Sequence, residues 1–393
     1  MNINVDVAYK SLNKMHEELC GDKVEILRTK DSTILILADG MGSGVKANIL
    51  ATLTSKILGT MFLNGADLDS CVETVAKTLP ICQERLVAYA TFSILQVFDS
   101  GEAYLVEYDN PSCIFIRDGA LVPIPQNTRE IAGKQINEYR FQVRLGDAFA
   151  LLSDGTIYAG AGDLMNLDWT WDNMAAYALK TARITKSASR LATMLCQACD
   201  DLYEGHPGDD TTVAVMRITE VKKVKLMTGP PRSKEDDEAA VRRLMEGDSL
   251  RIVCGGTSAK IVSRVLGKKI TDVTDQTPDP DIPPISHIDG IDLTTEGVLT
   301  LSRTLALLRQ YTDNNGEMEE DYFLELDKAN GGSMVAKTLL EDCSELEIIL
   351  GTAVNAAYQN SDLAFSLHSR NQIAKQLKKL MEQLGKRVAV TRY

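Results

Sequence analysis

The stretch Ile34–Ala47, ILILADGMGSGVKA, organises the first half of this chain. Its four leading apolar residues predict a buried strand that ends on Asp39, and the apolar run from Ala47 to about Met61 predicts a helix. The turn between them contains three glycines, Gly40, Gly42 and Gly44. Because glycine has no side chain, a ligand or an ion can approach this backbone closely. The stretch therefore places a carboxylate at a strand end, beside bare backbone.

The spacing of these glycines does not match a dinucleotide-binding turn. The motif G-x-G-x-x-G would put its third glycine where this chain has Val45. A hard divalent cation fits the stretch better, because Asp39 and a neighbouring backbone carbonyl are the oxygen ligands that magnesium and manganese prefer.

Length and charge limit the class of protein. The chain has 393 residues, which is comfortable for two domains with separate cores. Its formal net charge of -13 argues against nucleic acid and anionic membrane surfaces as partners. The first ten residues lack the apolar core of a signal peptide, and no apolar run approaches the roughly 18 residues of a membrane span. We therefore expect a cytoplasmic protein.

Eight cysteines are spread along the chain, and the only close pair is Cys196 and Cys199. No second pair and no histidine cluster accompanies this C-x-x-C. The pair is therefore more consistent with two buried residues on one helix face than with a zinc or redox site.

Beyond the glycine turn the pattern changes from helix to short strands. After a second predicted helix, Leu68 to Thr78, strand patterns run from Ala90 to Leu152. Hairpin signals at Asp99-Ser100-Gly101 and Asp118-Gly119 interrupt them, which predicts an antiparallel meander. Helical patterns return from Trp171 to Ile184 and from Ser187 to Tyr203.

Aspartates recur at predicted strand ends or edges, at Asp22, Asp39, Asp154 and Asp209. Each one alone is explained by the frequency of aspartate in turns and helix caps. Their occurrence in four short motifs within one region is more specific. The motifs are Cys20-Gly21-Asp22, Asp39-Gly40-Met41-Gly42, Ser153-Asp154-Gly155 and Gly208-Asp209-Asp210-Thr211-Thr212.

This combination resembles the metal-dependent protein phosphatase family (type 2C), and within it the bacterial stage II sporulation protein E-like subgroup. The resemblance covers about residues 1–220. It implies an α+β fold, in which an antiparallel β-sandwich is flanked by helices. It also implies a serine/threonine phosphatase that acts on a phosphorylated protein substrate.

The resemblance further implies a centre of two Mn²⁺ or Mg²⁺ ions. Asp39 would bridge the ions, Asp22 and the Gly40 carbonyl would complete one of them, and Asp154 and Asp209 would hold the other. Asp39, Asp154 and Asp209 would thus be catalytic through a metal-bound water that attacks phosphorus. Eukaryotic members also carry a phosphate-binding arginine near the N-terminus. No residue here can be assigned that role, although Arg28 is close in sequence.

In the subgroup, the helices that follow the glycine turn act as a movable switch; here they are residues 47–78. We expect a partner or a homodimer contact on them to set metal affinity. The alternative function is a pseudo-phosphatase that binds a partner through the same fold. The presence of all four aspartates favours the enzyme.

The second half follows a boundary signal, Lys222 to Pro231. Alternating helices and strands then predict a smaller layered α/β domain with a partly parallel sheet, over residues 221–393. Two of its strands end in glycine-threonine turns, Gly255-Gly256-Thr257 and Gly351-Thr352. These turns are either tight strand-to-helix connections or parts of a site for a small anionic ligand that regulates the phosphatase. A nucleotide-dependent enzyme is less favoured, because no P-loop lysine is present.

Overall fold

The computed structural model describes residues 3–78, 90–160, 169–272, 285–353 and 363–393. The chain divides into two compact units. The first contains Met1–Glu220 together with Gly316–Glu320, and the second contains Val221–Asn315 and Asp321–Tyr393. Five residues from the later part of the chain thus belong to the first unit.

In the described part of the first unit, eleven strands form two antiparallel sheets. The strands are β1 Ile3–Leu12, β2 Asp22–Arg28, β3 Ser32–Gly40, β4 Ala90–Phe98, β5 Glu102–Tyr108, β6 Ile114–Arg117, β7 Ala120–Leu121, β8 Asn127–Ile131, β9 Lys134–Gln142, β10 Ala148–Leu152 and β11 Thr211–Glu220. The five-stranded sheet has the order β1-β11-β10-β6-β7, and the six-stranded sheet has the order β2-β3-β4-β5-β9-β8.

The two sheets pack face to face, and helices cover their outer faces. Helices α1 Gly44–Leu63 and α2 Leu68–Thr78 pack on the six-stranded sheet. Helices α3 Trp171–Ile184 and α4 Ala188–Leu202 pack on the five-stranded sheet. The fold is therefore the α+β sandwich flanked by helices that the sequence predicted.

Strand β3 shows why its sequence is apolar without interruption. Ile34 and Ile36 face the core beneath α1 and α2, whereas Leu35 and Leu37 face the core between the two sheets. Because both faces of the strand are buried, polar residues do not alternate with apolar ones.

The predicted meander from Ala90 to Leu152 is wrong. Strands β4, β5, β8 and β9 lie in one sheet, and β6, β7 and β10 lie in the other. The turn at Asp118-Gly119 does join β6 to β7 as a hairpin. Strand β10 pairs with β6 and β11 instead of β9. Strands of both sheets direct apolar side chains into the same core. The alternation of apolar and polar residues along a strand therefore does not reveal which sheet the strand joins.

The pair Cys196 and Cys199 lies on α4, and both residues are fully buried in the core under the five-stranded sheet. Their Sγ atoms lie near the carbonyls of Thr211 and Thr156. The prediction of two buried structural residues is confirmed.

The second unit is a mixed seven-stranded sheet with helices on both faces. Its strands are β12 Lys223–Thr228, β13 Leu250–Cys254, β14 Ile270–Asp272, β15 Ser286–Ile288, β16 Leu293–Thr295, β17 Glu345–Leu350 and β18 Arg387–Arg392. Its helices are α5 Asp237–Met245, α6 Gly256–Leu266, α7 Val298–Asp313, α8 Glu320–Leu326, α9 Gly331–Glu341 and α10 Leu363–Gln383.

The parallel part of this sheet has the order β16-β13-β12-β17-β18. From β12 the chain thus adds β13 and then β16 on one side, and it later adds β17 and then β18 on the other side. This is a doubly wound arrangement. It agrees with the layered α/β domain and partly parallel sheet that the alternation of helices and strands predicted. None of the helices that the structure describes in either unit is long and apolar enough to cross a membrane.

The sandwich core depends on a cluster of stacked aromatic rings. Phe149 is 1% exposed, and its ring lies 4.6 Å from that of Phe115 and 5.6 Å from that of Phe141. We expect Phe149→Ala to lower the free energy of unfolding by about 3–5 kcal/mol, because it leaves a cavity between the sheets. Phe149→Leu is the matched control and should cost clearly less. Urea unfolding followed by near-UV circular dichroism measures both, and equal costs would contradict this description of the core.

Candidate metal centre

Two of the predicted carboxylates lie opposite each other on neighbouring strands. Asp22 opens β2 and Asp39 is next to last in β3, and the antiparallel register pairs the two residues. Side chains in such a pair have Cβ atoms about 4.5–5.5 Å apart. Two carboxyl groups are therefore adjacent at one end of the six-stranded sheet.

The other two aspartates are on loops that extend from the five-stranded sheet. Asp154 begins a short 3-10 turn after β10, and Asp209 lies two residues before β11. The loops are tied together because the amide of Thr212 donates to Ser153 Oγ at 2.8 Å. The carboxyl groups of Asp154 and Asp39 lie close enough for each to affect the pKa of the other. The two sheets thus bring residues that are far apart in sequence to one acidic cluster.

Burial and the repulsion of neighbouring carboxylates raise the pKa values of Asp22, Asp39 and Asp154. The pKa of Asp39 is raised to about 9, first by burial and then by the charges of Asp22, Asp154 and Asp209. Burial raises the pKa of Asp22 to about 7. It also raises the pKa values of Asp154 and Asp210. The cluster is therefore short of positive charge.

Several oxygen atoms of the cluster have no donor. Both carboxylate oxygens of Asp22 and Oδ2 of Asp210 are buried without a hydrogen-bond partner. The hydroxyls of Ser153 and Thr212 lie near Asp22 and favour its ionised form, but neither is placed for a well-formed hydrogen bond. Each unsatisfied buried group costs about 1–3 kcal/mol. An all-oxygen donor set of this kind fits Mg²⁺ or Mn²⁺.

The cluster is nevertheless not a closed cage. Among the described residues, no three His, Cys, Asp or Glu side chains are placed so that together they could hold an ion. Lys14 supplies positive charge instead. Its Nζ lies 3.5 Å from Asp209 Oδ1, and its backbone N–H donates to Asp210 Oδ1 at 3.0 Å. Sequence reasoning missed Lys14, because it belongs to no motif and reaches the cluster from the connection between β1 and β2.

The glycines of the motifs are required by close packing. A Cβ on Gly40 would lie 2.0 Å from the carbonyl oxygen of Ala47, and a Cβ on Gly155 would lie 2.3 Å from that of Asp210. Gly21 is equally restricted, because its Cβ would lie 2.7 Å from Asp210 Oδ2. These glycines allow the loops that carry the aspartates to pack against each other.

The start of α1 is covered by a carboxylate of the protein itself. Glu17 Oε1 accepts a hydrogen bond of 2.9 Å from the hydroxyl of Ser43, the residue before α1. A Cβ on Gly44 would lie 2.2 Å from Glu17 Oε2. The glycine turn is therefore not open to an anionic ligand at this helix terminus.

Arg28 lies far from the acidic cluster. It ends β2, whereas Asp22 begins that strand, and six steps along a strand span about 20 Å. Its guanidinium donates to the carbonyl of Val5 at 3.3 Å. Arg28 is thus not placed to bind a phosphate at this centre.

The predicted anion-binding residues of the second unit do not form one site. Gly255, Gly256 and Thr257 follow β13, whereas Gly351 and Thr352 follow β17, and β12 lies between the two strands. The Gly351 amide donates to Thr228 O at 2.9 Å, and both the amide and the hydroxyl of Thr352 donate to Tyr393 O. Because these donors are used inside the protein, the turn after β17 offers none of them to an anion.

Comparison with known proteins identifies the type of the first unit. The family model for stage II sporulation protein E (SpoIIE) matches residues 29–219. Stage II sporulation protein E of Bacillus subtilis (strain 168) is 28% identical over 188 residues, which are 46% of this chain and 22% of that protein. The match therefore spans less than a quarter of the relative's length.

Three solved structures illustrate the similarity. The PP2C phosphatase domain of SpoIIE from Bacillus subtilis, with a fragment of its regulatory domain, is 19% identical with a TM-score of 0.46, covering 56% of this chain and 64% of that one. The RsbU and RsbW domains of a Mycobacterium tuberculosis protein are 18% identical with a TM-score of 0.47, and the match covers 62% of this chain and 69% of that one. The catalytic domain of the serine/threonine protein phosphatase PstP, in complex with two manganese ions, is 16% identical with a TM-score of 0.38. That match covers 55% of this chain and 100% of the other. Residues 29–219 of this chain are a PP2C-type segment like that of stage II sporulation protein E.

Proposed function

We propose that the first unit is a metal-dependent protein phosphatase that hydrolyses phosphoserine or phosphothreonine on a protein substrate. The observation that carries the proposal is an acidic cluster to which both sheets contribute, through Asp22, Asp39, Asp154 and Asp209, and in which the buried Asp22 carboxylate has no hydrogen-bond partner. The stage II sporulation protein E-like segment supports the same activity.

Each residue of the cluster has a proposed role. Two Mn²⁺ or Mg²⁺ ions would be held by Asp22, Asp39, the Gly40 carbonyl, Asp154 and Asp209. When bound, the ions would lower the pKa of a water molecule and neutralise phosphoryl oxygens. The protein holds the carboxylates in place through the β2–β3 register and through the hydrogen bond between the loops of Ser153 and Thr212. The buried cysteines have no part in this chemistry.

Hydrolysis of an aryl phosphate and of a phosphoserine peptide tests the activity. We expect turnover that requires Mn²⁺ and that falls at least 100-fold in both Asp154→Asn and Asp209→Asn, because each variant removes one anionic ligand. Asp172→Asn is the control, since Asp172 is exposed in the first turn of α3, and its turnover should equal that of the wild type.

Two results would contradict the enzyme. Turnover that survives in both cluster variants would place the chemistry elsewhere. Absence of both turnover and Mn²⁺ binding would favour a pseudo-phosphatase that binds a partner.

Thermal unfolding without metal tests the acidic cluster independently of activity. In EDTA at a pH above 7, where Asp22 with its pKa of about 7 is ionised, we expect Asp22→Asn to raise the stability by roughly 1 kcal/mol, or about 2–4 °C, because it removes a buried charge that lacks a partner. The same variant should lose most of the stabilisation that Mn²⁺ gives to the wild type. A metal-free variant that is less stable than the wild type would show that the carboxylate is satisfied as it stands.

We also propose that α1 regulates the centre, because it packs on both strands that carry its carboxylates. Ala47 lies against Gly40, next to Asp39. The Asn48 side-chain amide donates to the Cys20 carbonyl at 2.7 Å, two residues before Asp22. A shift of α1 would therefore move the ends of β2 and β3.

The outer face of α1 offers a surface for such regulation. Val45, Ile49 and Leu53 recur at intervals of four residues and are 59%, 51% and 43% exposed. A contact of this stripe with a partner or with a second copy of the chain stays a prediction.

Mn²⁺ titrations of α1 variants test the coupling. We expect Asn48→Ala to change the Mn²⁺ concentration for half-maximal activity several-fold, because it frees the helix from the Cys20 carbonyl. Lys56→Ala is the control, since it removes an ion pair with Glu25 farther along the same helix. Identical metal affinity in the wild type and both variants would exclude a regulatory role for α1.

A further inference from the structure

We propose that the second unit binds an oxyanion, such as a phosphate group, where helices α6 and α7 begin side by side. The residues that form this junction are Gly255 to Ser258 and Gly297 to Thr300. The proposal does not depend on the phosphatase chemistry, because it uses no residue of the first unit.

The two helices begin in direct backbone contact. Gly255 precedes α6 and Gly297 precedes α7. The Gly255 amide donates to the Thr295 carbonyl at 2.8 Å, which ties the end of β13 to the end of β16. A Cβ on Gly297 would lie 3.4 Å from Gly255 Cα. The N-termini of the two helices thus lie close together.

Both first turns present backbone donors that nothing in the described structure caps. Neither Gly255 nor Gly297 has a side chain that could accept a capping hydrogen bond. The first amides to find a helical carbonyl are those of Ala259 and Leu301. The amides of residues 256–258 and 298–300 precede them, so they have no carbonyl of their own helix to bond. Two positive helix ends therefore combine at one place, which favours an anion.

A buried hydroxyl at the same place lacks a partner. Ser258 is 1% exposed, and its Oγ makes no hydrogen bond. Helical side chains tilt toward the N-terminus, and this Oγ lies 3.6 Å from the Cβ position of Gly255. The hydroxyl is thus directed to the start of α6, where it would donate a hydrogen bond to an oxyanion.

Solvent has access to the junction, and its rim is partly apolar. Gly256 and Thr257 are exposed, and a Cβ on Gly256 would meet no atom within 4 Å. Val298 and Leu299, in the first turn of α7, are 41% and 70% exposed. An apolar group attached to the oxyanion could contact these two side chains.

Titration of the full chain in EDTA with inorganic phosphate and with phenylphosphonate tests the site. Calorimetry would measure affinity, and the amide NMR signals of Gly256, Thr257 and Val298 would report the location. We expect saturable binding that shifts these signals. Tighter binding of phenylphosphonate would indicate an organic ligand that uses the apolar rim, and equal affinity would indicate a site for the free oxyanion.

Two variants of Gly256 separate the effect of charge from the effect of shape, and a variant of Ser258 tests the hydroxyl. Gly256→Asp should weaken binding at least tenfold, because it places a carboxylate where the anion would lie. Gly256→Ala should bind within about twofold of the wild type, since the added methyl group meets open space. Ser258→Ala should weaken binding several-fold without lowering the melting temperature, because the hydroxyl has no partner to lose.

Three results would overturn the proposal. They are the absence of saturable binding, binding that Gly256→Asp leaves unchanged, and binding that disappears in Asp39→Asn. The last result would place the anion at the acidic cluster of the first unit. Loss of phosphatase activity in any of these variants has no bearing on the junction, so the two proposals can fail separately.

Discussion

The first unit is built around carboxyl groups that lie close together and away from water, which raises the pKa values of Asp22, Asp39 and Asp154. Asp22 and Asp39 lie on paired strands, and the pKa of Asp39 is raised to about 9 by burial and by neighbouring carboxylates. Such an arrangement is costly, and it persists only because the surrounding sandwich is well packed on every face. The same cost supports the proposed metal site, since a divalent ion would remove the repulsion and satisfy the oxygens that lack a partner.

The same constraint explains the close packing around the cluster. Gly40 meets the backbone of Ala47 in α1, Gly155 meets the backbone of Asp210, and Gly21 meets the side chain of Asp210, so a side chain at any of the three positions would collide with its neighbour. As a result, α1 rests on the backbone beside Asp39 with no flexible side chain between them. A rigid contact of this kind transmits displacement, which supports the proposal that α1 regulates the centre. Lys14 offsets part of the charge from the opposite side.

In the second unit, the groups that a ligand could bind do not lie at the usual position along the carboxyl ends of the parallel strands. In doubly wound sheets, ligands bind where the strand order reverses, which here is the gap between β12 and β17. The protein fills that gap itself, because Gly351 packs against Gly229 and Pro230, and Thr352 donates to Tyr393. Uncapped helix termini occur instead after β13 and β16. The polar groups left for a ligand are therefore displaced from the usual position toward the other side of β12.

The sequence by itself determined the features that depend on near neighbours in the chain. The apolar run at residues 34–37 and the glycine turn were enough to predict the buried strand, and the family resemblance carried by the four aspartate motifs implied the fold type of the first unit. Periodicity also predicted the layered α/β arrangement of the second unit. These succeeded because strand burial, turns and motif spacing are local properties.

Only the tertiary structure decided what lies together across the chain. The sheet to which β6 and β10 belong could not be predicted, because both faces of a sandwich core accept the same alternation. Lys14 joins the cluster, and Gly297 joins Gly255, through contacts between segments that no motif links. The glycine-threonine turns at residues 255 and 351 look alike in sequence. One keeps free donors and the other does not, since strand order and the partner of each amide are set by the fold as a whole.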